Sequence, residues 1–366
     1  MKFSLLMLTT FSLGLAVFFS QRPNVEDLTY EASIAWNSGD LDRAEQLSRR
    51  LLARAPDSVR GREILRNRSM ATNRPELALA VAEMDFPNNS PAPDRYIRLS
   101  GIAMSRGLFR IADEYLADGL HHFPDHQRLQ QQFVALSGLR LDPEEMLRRL
   151  LAWAKSGRPA PEFVIMYLGL SSLDSRAASS SEEWLRQAVE ADASDIDSRL
   201  GLARCLMLMG KLEQCCKLLD ASTFSERAAV LHAVAFALRG EIAAAKDCIP
   251  TSVPTRFQAE YRYALGLIAI HEERWEEAAR ELGSAVELKP LSTSYRARYC
   301  ESLRRLKRDD EHLREVKKLE TLIQLVKRSH QLQRHPDMSQ LSELRQLCEQ
   351  LGDSPAVTII SAIENY

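Results

Sequence analysis

The sequence predicts an all-α chain of tandem helical hairpins, and three observations point there. Its aliphatic residues are mostly Leu and Ala, good helix formers, while the Val, Ile, Thr and Tyr clusters expected of strands are scarce. The 366 residues combine 45% hydrophobic with 7% aromatic content, which fits two ordinary domains or one elongated repeat array. Ala44, Ala78 and Ala112 are spaced 34 residues apart, and self-similarity at a fixed period marks a repeat architecture. A formal net charge of -2 excludes a molecule tuned as a whole for nucleic acid or an acidic surface, so such a role needs a local patch.

The first element differs in kind. Met1-Lys2 precedes FSLLMLTTFSLGLAVFF, an uncharged run from Phe3 to Phe19 that gives way to Ser20, Gln21, Arg22 and Pro23. Its length lies at the short edge of the roughly 17 to 25 residues that span a bilayer and above the roughly 7 to 15 of a signal-peptide core. An uncleaved anchor, a cleaved signal and a buried first helix all stay open. The best small-x-small site, Gly14-Leu15-Ala16, lies inside the run, and no Cys follows it for lipoprotein processing. Lys2 favours a cytoplasmic N-terminus and an exported body, with Arg22 opposing that bias. Residues 1–23 are thus expected as anchor or signal, 24–326 as the repeat array and 327–366 as C-terminal capping helices.

Within the array, NSGDLDRAEQLSRRLLARAPDS and SRGLFRIADEYLADGLHHFPDH share one phase: Gly39 and Gly107 stand five residues before their alanines, Pro56 and Pro124 twelve after. GLIAIHEERWEEAARELGSAVELKP, residues 266–290, repeats it with Ala278, Leu282, Ala285 and Pro290. A small Ala lets two helices approach, a Gly or charged turn reverses the chain, and the Pro ends the second helix because its ring cannot continue the ladder.

On these residues the chain resembles the tetratricopeptide repeat (TPR) family, most closely over 93–126 and 259–292, then 25–58. Weaker units fall at 59–92, 127–160 and 162–195, shorter hairpins at 196–225 and 226–255 with Gly210 and Gly240 at their turns, and further units at 293–326 and 338–364. The resemblance implies a right-handed α-solenoid of TPR-like helical hairpins that binds partners along a concave face lined by the first helix of each pair. It also resembles envelope assembly factors that join one N-terminal helix to such repeats, though not those ending in a metal-binding Cys module, since the C-terminal region carries only Cys348.

The residues themselves show an asymmetry between the helices of the middle repeats. EFVIMYLGLSSL, SRLGLARCLMLM, RAAVLHAVAFAL and EYRYALGLIAIH are apolar nearly all round, whereas SEEWLRQAVEADA and RWEEAARELGSAVEL are amphipathic. A helix apolar on every side must be covered by more than its hairpin partner or must line a groove. The family phase places Met166, Leu170, Leu173, Leu200, Arg204, Met207, Val230, Val234, Tyr263, Leu267 and Ile270 toward the inner face, as a groove, a core or a self-association surface. Arg204 stands alone in this stripe, able to anchor a partner carboxylate or to snorkel to water. The family's clamp for terminal carboxylates needs Lys and Asn where this chain has Thr29, Ser33, Ile64, Asp94 and Arg98, so that use is not expected.

Catalytic signatures are lacking in the sequence. HHFPDH (His121, His122, Asp125, His126) reads as an inter-repeat turn and cap, because Pro124 breaks the helix that metal ligation would need. His271-Glu272-Glu273-Arg274 starts a zinc-protease pattern, but position 275 is Trp. Ser179-Ser180-Ser181-Glu182-Glu183 reads as a capping sequence before a helix. No phosphate loop or dinucleotide fingerprint occurs, and no cofactor is implied. Cys205, Cys215, Cys216, Cys248, Cys300 and Cys348 read as buried thiols, with a Cys205 bridge to Cys215 or Cys216 as the alternative. The stretch from Tyr295 to Glu320, with Lys327, Arg328 and Arg334, holds about twice as many cations as anions, a solvated face or a site for an anionic partner. The expectation is a non-catalytic protein-interaction scaffold, membrane-tethered with its body exported, or secreted if the segment is cleaved. A carrier or sensor of a small apolar ligand is the alternative.

Overall fold

The structure, a computed structural model, describes residues 24–364 apart from 73, 87–90, 173–174, 221–224 and 335–339; the side chains of 175–180 and 333–334 are likewise not described. The run from Phe3 to Phe19 therefore lies outside the described residues. Among the described residues, no helix is long and apolar enough to cross a membrane. The described chain is all-α, with a 3-10 turn at Thr255–Phe257. It divides at Arg106 into two compact units, a boundary inside the hairpin expected at 93–126.

The first unit holds α1 (Val25–Asn37), α2 (Leu41–Arg54), α3 (Val59–Ala71), α4 (Pro75–Glu83) and α5 (Pro93–Met104), each packed on the next. Sequence sets their starts. Asn24 and Asp27 close a capping box on α1, Asp40 caps α2, Ser58 caps α3, and prolines open α4 and α5 where the missing N–H costs nothing. Leu28, Ala32, Ala44, Leu51 and Ile64 form the core of this end. Above it Glu45 accepts from Arg74 at 2.8 and 2.5 Å and from Arg49 at 3.0 Å. The Arg74 hydrogen bonds lead the causes that hold the Glu45 carboxyl down at about 2.

The second unit runs through α6 (Phe109–His122), α7 (Gln127–Leu139), α8 (Pro143–Ser156), α9 (Pro161–Ser171), α10 (Ser175–Ala191), α11 (Ile196–Leu208), α12 (Leu212–Asp220), α13 (Glu226–Arg239) and α14 (Ile242–Asp247). It continues with α15 (Gln258–His271), α16 (Trp275–Leu288), α17 (Thr293–Arg305), α18 (Asp309–Arg334), α19 (Leu341–Leu351) and α20 (Ser354–Glu364). The helix starts and ends follow the expected hairpins closely. Two differ: α10 begins at Ser175, so Ser179–Ser181 lies inside it and not before it, because Arg176, Ala177 and Ala178 are strong helix formers that carry the helix back. Helix α18 runs on to Arg334, since no Pro or Gly interrupts it before Pro336.

The repeat register appears as geometry at the turns. Gly39, Gly107, Leu141, Gly210, Gly240 and Glu273 all have positive φ. Five residues beyond each, Ala44, Ala112, Met146, Cys215, Ala245 and Ala278 have no exposed surface. At each of these turns except Gly107, which stands at the boundary of the two units, the left-handed residue reverses the chain between two packed helices and the fifth residue beyond it lands in their contact. Gly fits that conformation freely; Leu141 and Glu273 adopt it at a cost of roughly 1 kcal/mol.

Helices α11, α13, α15 and α17 stack in succession, their hairpin partners packing alongside. The expected hairpin 162–195 is divided: α10 packs on α11 and α7, while α9 packs on α7, α8, α18 and α20. Val134, Met146, Leu150, Trp153, Val164 and Leu168 from the middle of the chain thus share one core with Leu322, Leu325, Leu344, Ile359, Ile360 and Ile363 from its end. Thr293 on α17 donates to the Ser172 carbonyl at 2.9 Å, a second tie across the closure. The helices of this unit therefore form a closed circuit.

Two tests follow from these contacts. A Cβ at Gly201 would lie 2.2 Å from the Arg140 carbonyl oxygen, a backbone atom, whereas one at Gly39 meets nothing within 4 Å and carries only the cost of φ +80°. Gly201→Ala is expected to cost about 3 kcal/mol or more and Gly39→Ala about 1 kcal/mol, read by denaturant unfolding. The depressed Glu45 contributes stability that is full above its ordinary value near 4.5 and is lost as pH falls through about 2. Glu45→Gln should flatten the acid side of the unfolding profile in that window; an unchanged profile would show that the Arg74 contact adds no stability.

Candidate functional site

The circuit surrounds a cavity of about 890 Å³ lined by α8, α9, α11, α13, the 3-10 turn, α15, the end of α16, the α16–α17 loop, α17 and the α19–α20 turn. One wall is apolar, made by Met207, Leu208, Leu231, Val234 and Leu238. Exposed Leu288 and the partly exposed Arg256 and Arg298 stand where it reaches the surface.

Charged groups converge on the other side. Arg140 in the α7–α8 turn pairs with Asp195 at 2.9 Å, and Asp195 in turn caps α11 through Ser198 N–H at 3.1 Å. Gly201, lacking a side chain, lets α11 lie against the Arg140 carbonyl. One turn further, Arg204 reaches the cavity, 9% exposed, donating through Nη1 to the Leu141 carbonyl at a long 3.5 Å. Burial disfavours its charge, but Asp142 and Glu260 outweigh burial and raise its pKa. Burial likewise pushes Asp142 up, yet Arg204 and the Glu145 N–H hold it below the usual carboxylate range.

Lys289 ends α16 just before Pro290 and places its ammonium 2.7 Å from Glu144 and 2.5 Å from Glu260. Those carboxylates outweigh desolvation and raise its pKa, which favours the protonated ammonium between them. Glu144 moves upward, first through burial and further through the like charge of Glu260. Glu260 itself is 5% exposed, and its Oε2 has no hydrogen-bond partner among the described residues. Tyr263 and Tyr295 stack at 4.2 Å between ring centroids, and burial pushes both phenols upward, leaving them neutral donors.

Of the inner-face residues expected from the sequence, Arg204, Met207, Val234 and Tyr263 line this cavity together. Leu200, Val230 and Leu267 are buried core. Met166 and Leu170 pack on the core shared by α8, α9 and the C-terminal helices, with Met166 Cε filling the space above Gly138 of α7. Ile270 packs on the core around α15 and α16, and Leu173 lies outside the described residues. Missed were Glu144, Glu260, Lys289 and Tyr295. Glu260 carried the same signal as Arg204, a charge in register with an apolar stripe, here that of Tyr263, Leu267 and Ile270; Lys289 carried none, because a Lys before the closing Pro reads as surface.

The other sequence features resolve into local structure. Among the described residues none of the six cysteines forms a disulfide, and burial pushes Cys205 to about 11 and Cys215 to about 12, far from a reactive thiolate. Among the described residues no His, Cys, Asp and Glu groups are arranged to hold a metal. His126 stands at the N-cap of α7 without a capping bond from its ring, and Gln130 holds that turn instead, donating to the Pro124 carbonyl at 2.7 Å. Glu273 is the left-handed turn residue between α15 and α16. In the basic stretch Arg296 is buried against Glu315 and the Pro290 carbonyl, Arg298 pairs with Glu301, Arg308 with Glu311, and Lys318 with Glu315.

No protein-family model matches the chain, and no curated protein resembles it in sequence. Solved structures similar to it include the human IFIT1 dimer with m7Gppp-AAAA (12% identity, 94% of this chain, 90% of that one, TM-score 0.36). Yeast Tom70 is similar at 11% identity over 94% and 90% of the two chains, TM-score 0.29. A tetratricopeptide repeat protein from Parabacteroides merdae is similar at 15% identity over 72% and 93%, TM-score 0.27. At these scores the likenesses do not bear on ligand or partner.

The cavity wall and the core respond differently to charge. Val234→Lys places an ammonium where it can extend into the cavity beside carboxylates, whereas Met166→Lys buries one against apolar helices. Thermal unfolding should show the Val234 variant near wild type and the Met166 variant destabilised by about 3 kcal/mol or more. Equal losses would place Val234 in closed core.

Proposed function

We propose that this chain is a non-catalytic interaction scaffold that receives a peptide segment of a partner protein in the cavity of its second unit. The observation that carries this reading is Arg204, nine-tenths buried, lining the cavity with one long bond among the described residues, to Leu141, while Asp142 and Glu260 balance its charge. A guanidinium so balanced gains little from a further anion but still has donors to satisfy, and a peptide carbonyl is a neutral acceptor. The apolar wall suits aliphatic side chains, and the volume falls within the roughly 300 to 1,000 Å³ of ligand sites. The segment from Phe3 to Phe19, with Lys2 before it, supports tethering at a membrane with the body exported.

The contiguous wall of Met207, Leu208, Leu231, Val234 and Leu238 favours a second reading, a carrier or sensor of a small apolar ligand. Affinity capture from detergent-solubilised membranes, using the full chain and Val234→Lys, separates the two. The scaffold reading expects a protein retained by the wild type and lost by the variant. Extractable lipid with no variant-sensitive protein supports the carrier. A reporter fused after Tyr366 that is active only in the cytosol would overturn the exported body.

A further inference from the structure

Resting on the peptide-scaffold reading, we infer that the cavity selects a ligand bearing a primary ammonium, which in a peptide is its free N-terminus. The ammonium sits among Glu260, Glu144 and Asp353, the first carbonyl takes the donors of Arg204, and aliphatic side chains run along Met207, Val234 and Leu238.

The charge inventory carries the inference. Five carboxylates and four cations line the cavity, and the cations are engaged unequally. Arg298 is held by Glu301 at 2.9 Å, and Arg256 leans on Asp142 and Asp197 at 3.7 and 3.8 Å. Lys289 is the cation within ion-pair distance of both Glu144 and Glu260, Arg204 acts on them only at longer range, and Glu260 Oε2 has no donor among the described residues. Asp353, 4% exposed, caps α20 by accepting from the Ala356 N–H at 2.8 Å, and no cation pairs with it among the described residues. The site is therefore short of positive charge, and an unpaired charge in such surroundings is costly. Burial moves Glu144 and Asp353 upward, the response expected of carboxylates that lack sufficient counter-charge.

A carboxylate ligand would join this surplus and be repelled. A purely apolar one would leave Arg204 and Glu260 unsatisfied. A peptide N-terminus supplies a cation with three donors, then a carbonyl acceptor within one residue, then side chains for the apolar wall. The stacked Tyr263 and Tyr295 add aromatic surface that also favours a cation.

The test uses the full chain, immobilised, and an equimolar library of random hexapeptides lacking Lys and Arg, offered with free or acetylated N-termini. Mass spectrometry of the retained peptides is expected to show free termini favoured about tenfold or more. Asp353→Asn and Glu260→Gln, each confirmed folded by circular dichroism, should shrink that preference, and at least one of the two retains the fold because each keeps the shape of its side chain. Equal retention of both libraries overturns the ammonium inference and leaves the peptide scaffold standing. Retention of neither by the folded wild type overturns both.

Discussion

A helix that is apolar on every side has to be covered on every side, and α9 imposes that condition on the second unit. Val164, Ile165, Tyr167 and Leu168 are all buried, which no single hairpin partner could achieve. The chain meets the requirement by bringing α18 and α20 from its end onto α9, while α10 leaves to pack on α7 and α11. Closure of the circuit follows, and with it an inner space bounded by helices that would otherwise form an open face. The C-terminal helices then belong to the same core as the middle repeats, so the end of the chain holds the site in shape.

The inside of that circuit is where hydrophobic burial stops and electrostatics takes over. Arg204, Asp142, Glu144, Glu260 and Lys289 come from five places in the chain, α11, the α7–α8 turn, α8, α15 and the end of α16, and none would be stable there alone. Each charge is tolerated because the turns supply an opposite one: the α7–α8 turn gives Asp142, and the end of α16 gives Lys289. An amine between two carboxylates is held in its protonated form, and the donors and acceptors left over at the cavity wall are the kind of groups that recognition uses.

Most of the fold was legible in the sequence, because the repeat signal is local. The alanines at 34-residue spacing, the turn glycines and the prolines report which residues touch within a hairpin, and helix positions followed from them. Division of the 162–195 hairpin was not legible, since it depends on α18 and α20, more than a hundred residues away, outcompeting a neighbour for the surface of α9. The site was half legible. Arg204 stood out as a charge in an apolar stripe, and Glu260 satisfies the same criterion. Met166 and Leu170 share the periodicity of Val234 yet lie in core, because phase places a residue on a helix face but does not say whether that face meets a cavity or another helix.

The α7–α8 turn joins the two levels. Leu141 takes the left-handed conformation that the repeat register assigns to this position, although it is not a glycine. That strained turn presents the Arg140 carbonyl to Gly201, the Leu141 carbonyl to Arg204, and the Asp142 carboxylate beside the Arg204 charge. Three consecutive residues thus set the close approach of α11, the reach of its arginine and the compensation of its charge. Strain of this size persists where surrounding contacts over-determine the backbone. Here the Arg140–Asp195 ion pair and the cap of α8 by Asp142 do so, with Asp142 accepting from the Glu145 N–H at 3.0 Å. The register of the repeats therefore positions the polar side of the cavity directly, through backbone atoms, and a ligand seated on Arg204 would meet a guanidinium whose place is fixed by the same turn that fixes the fold.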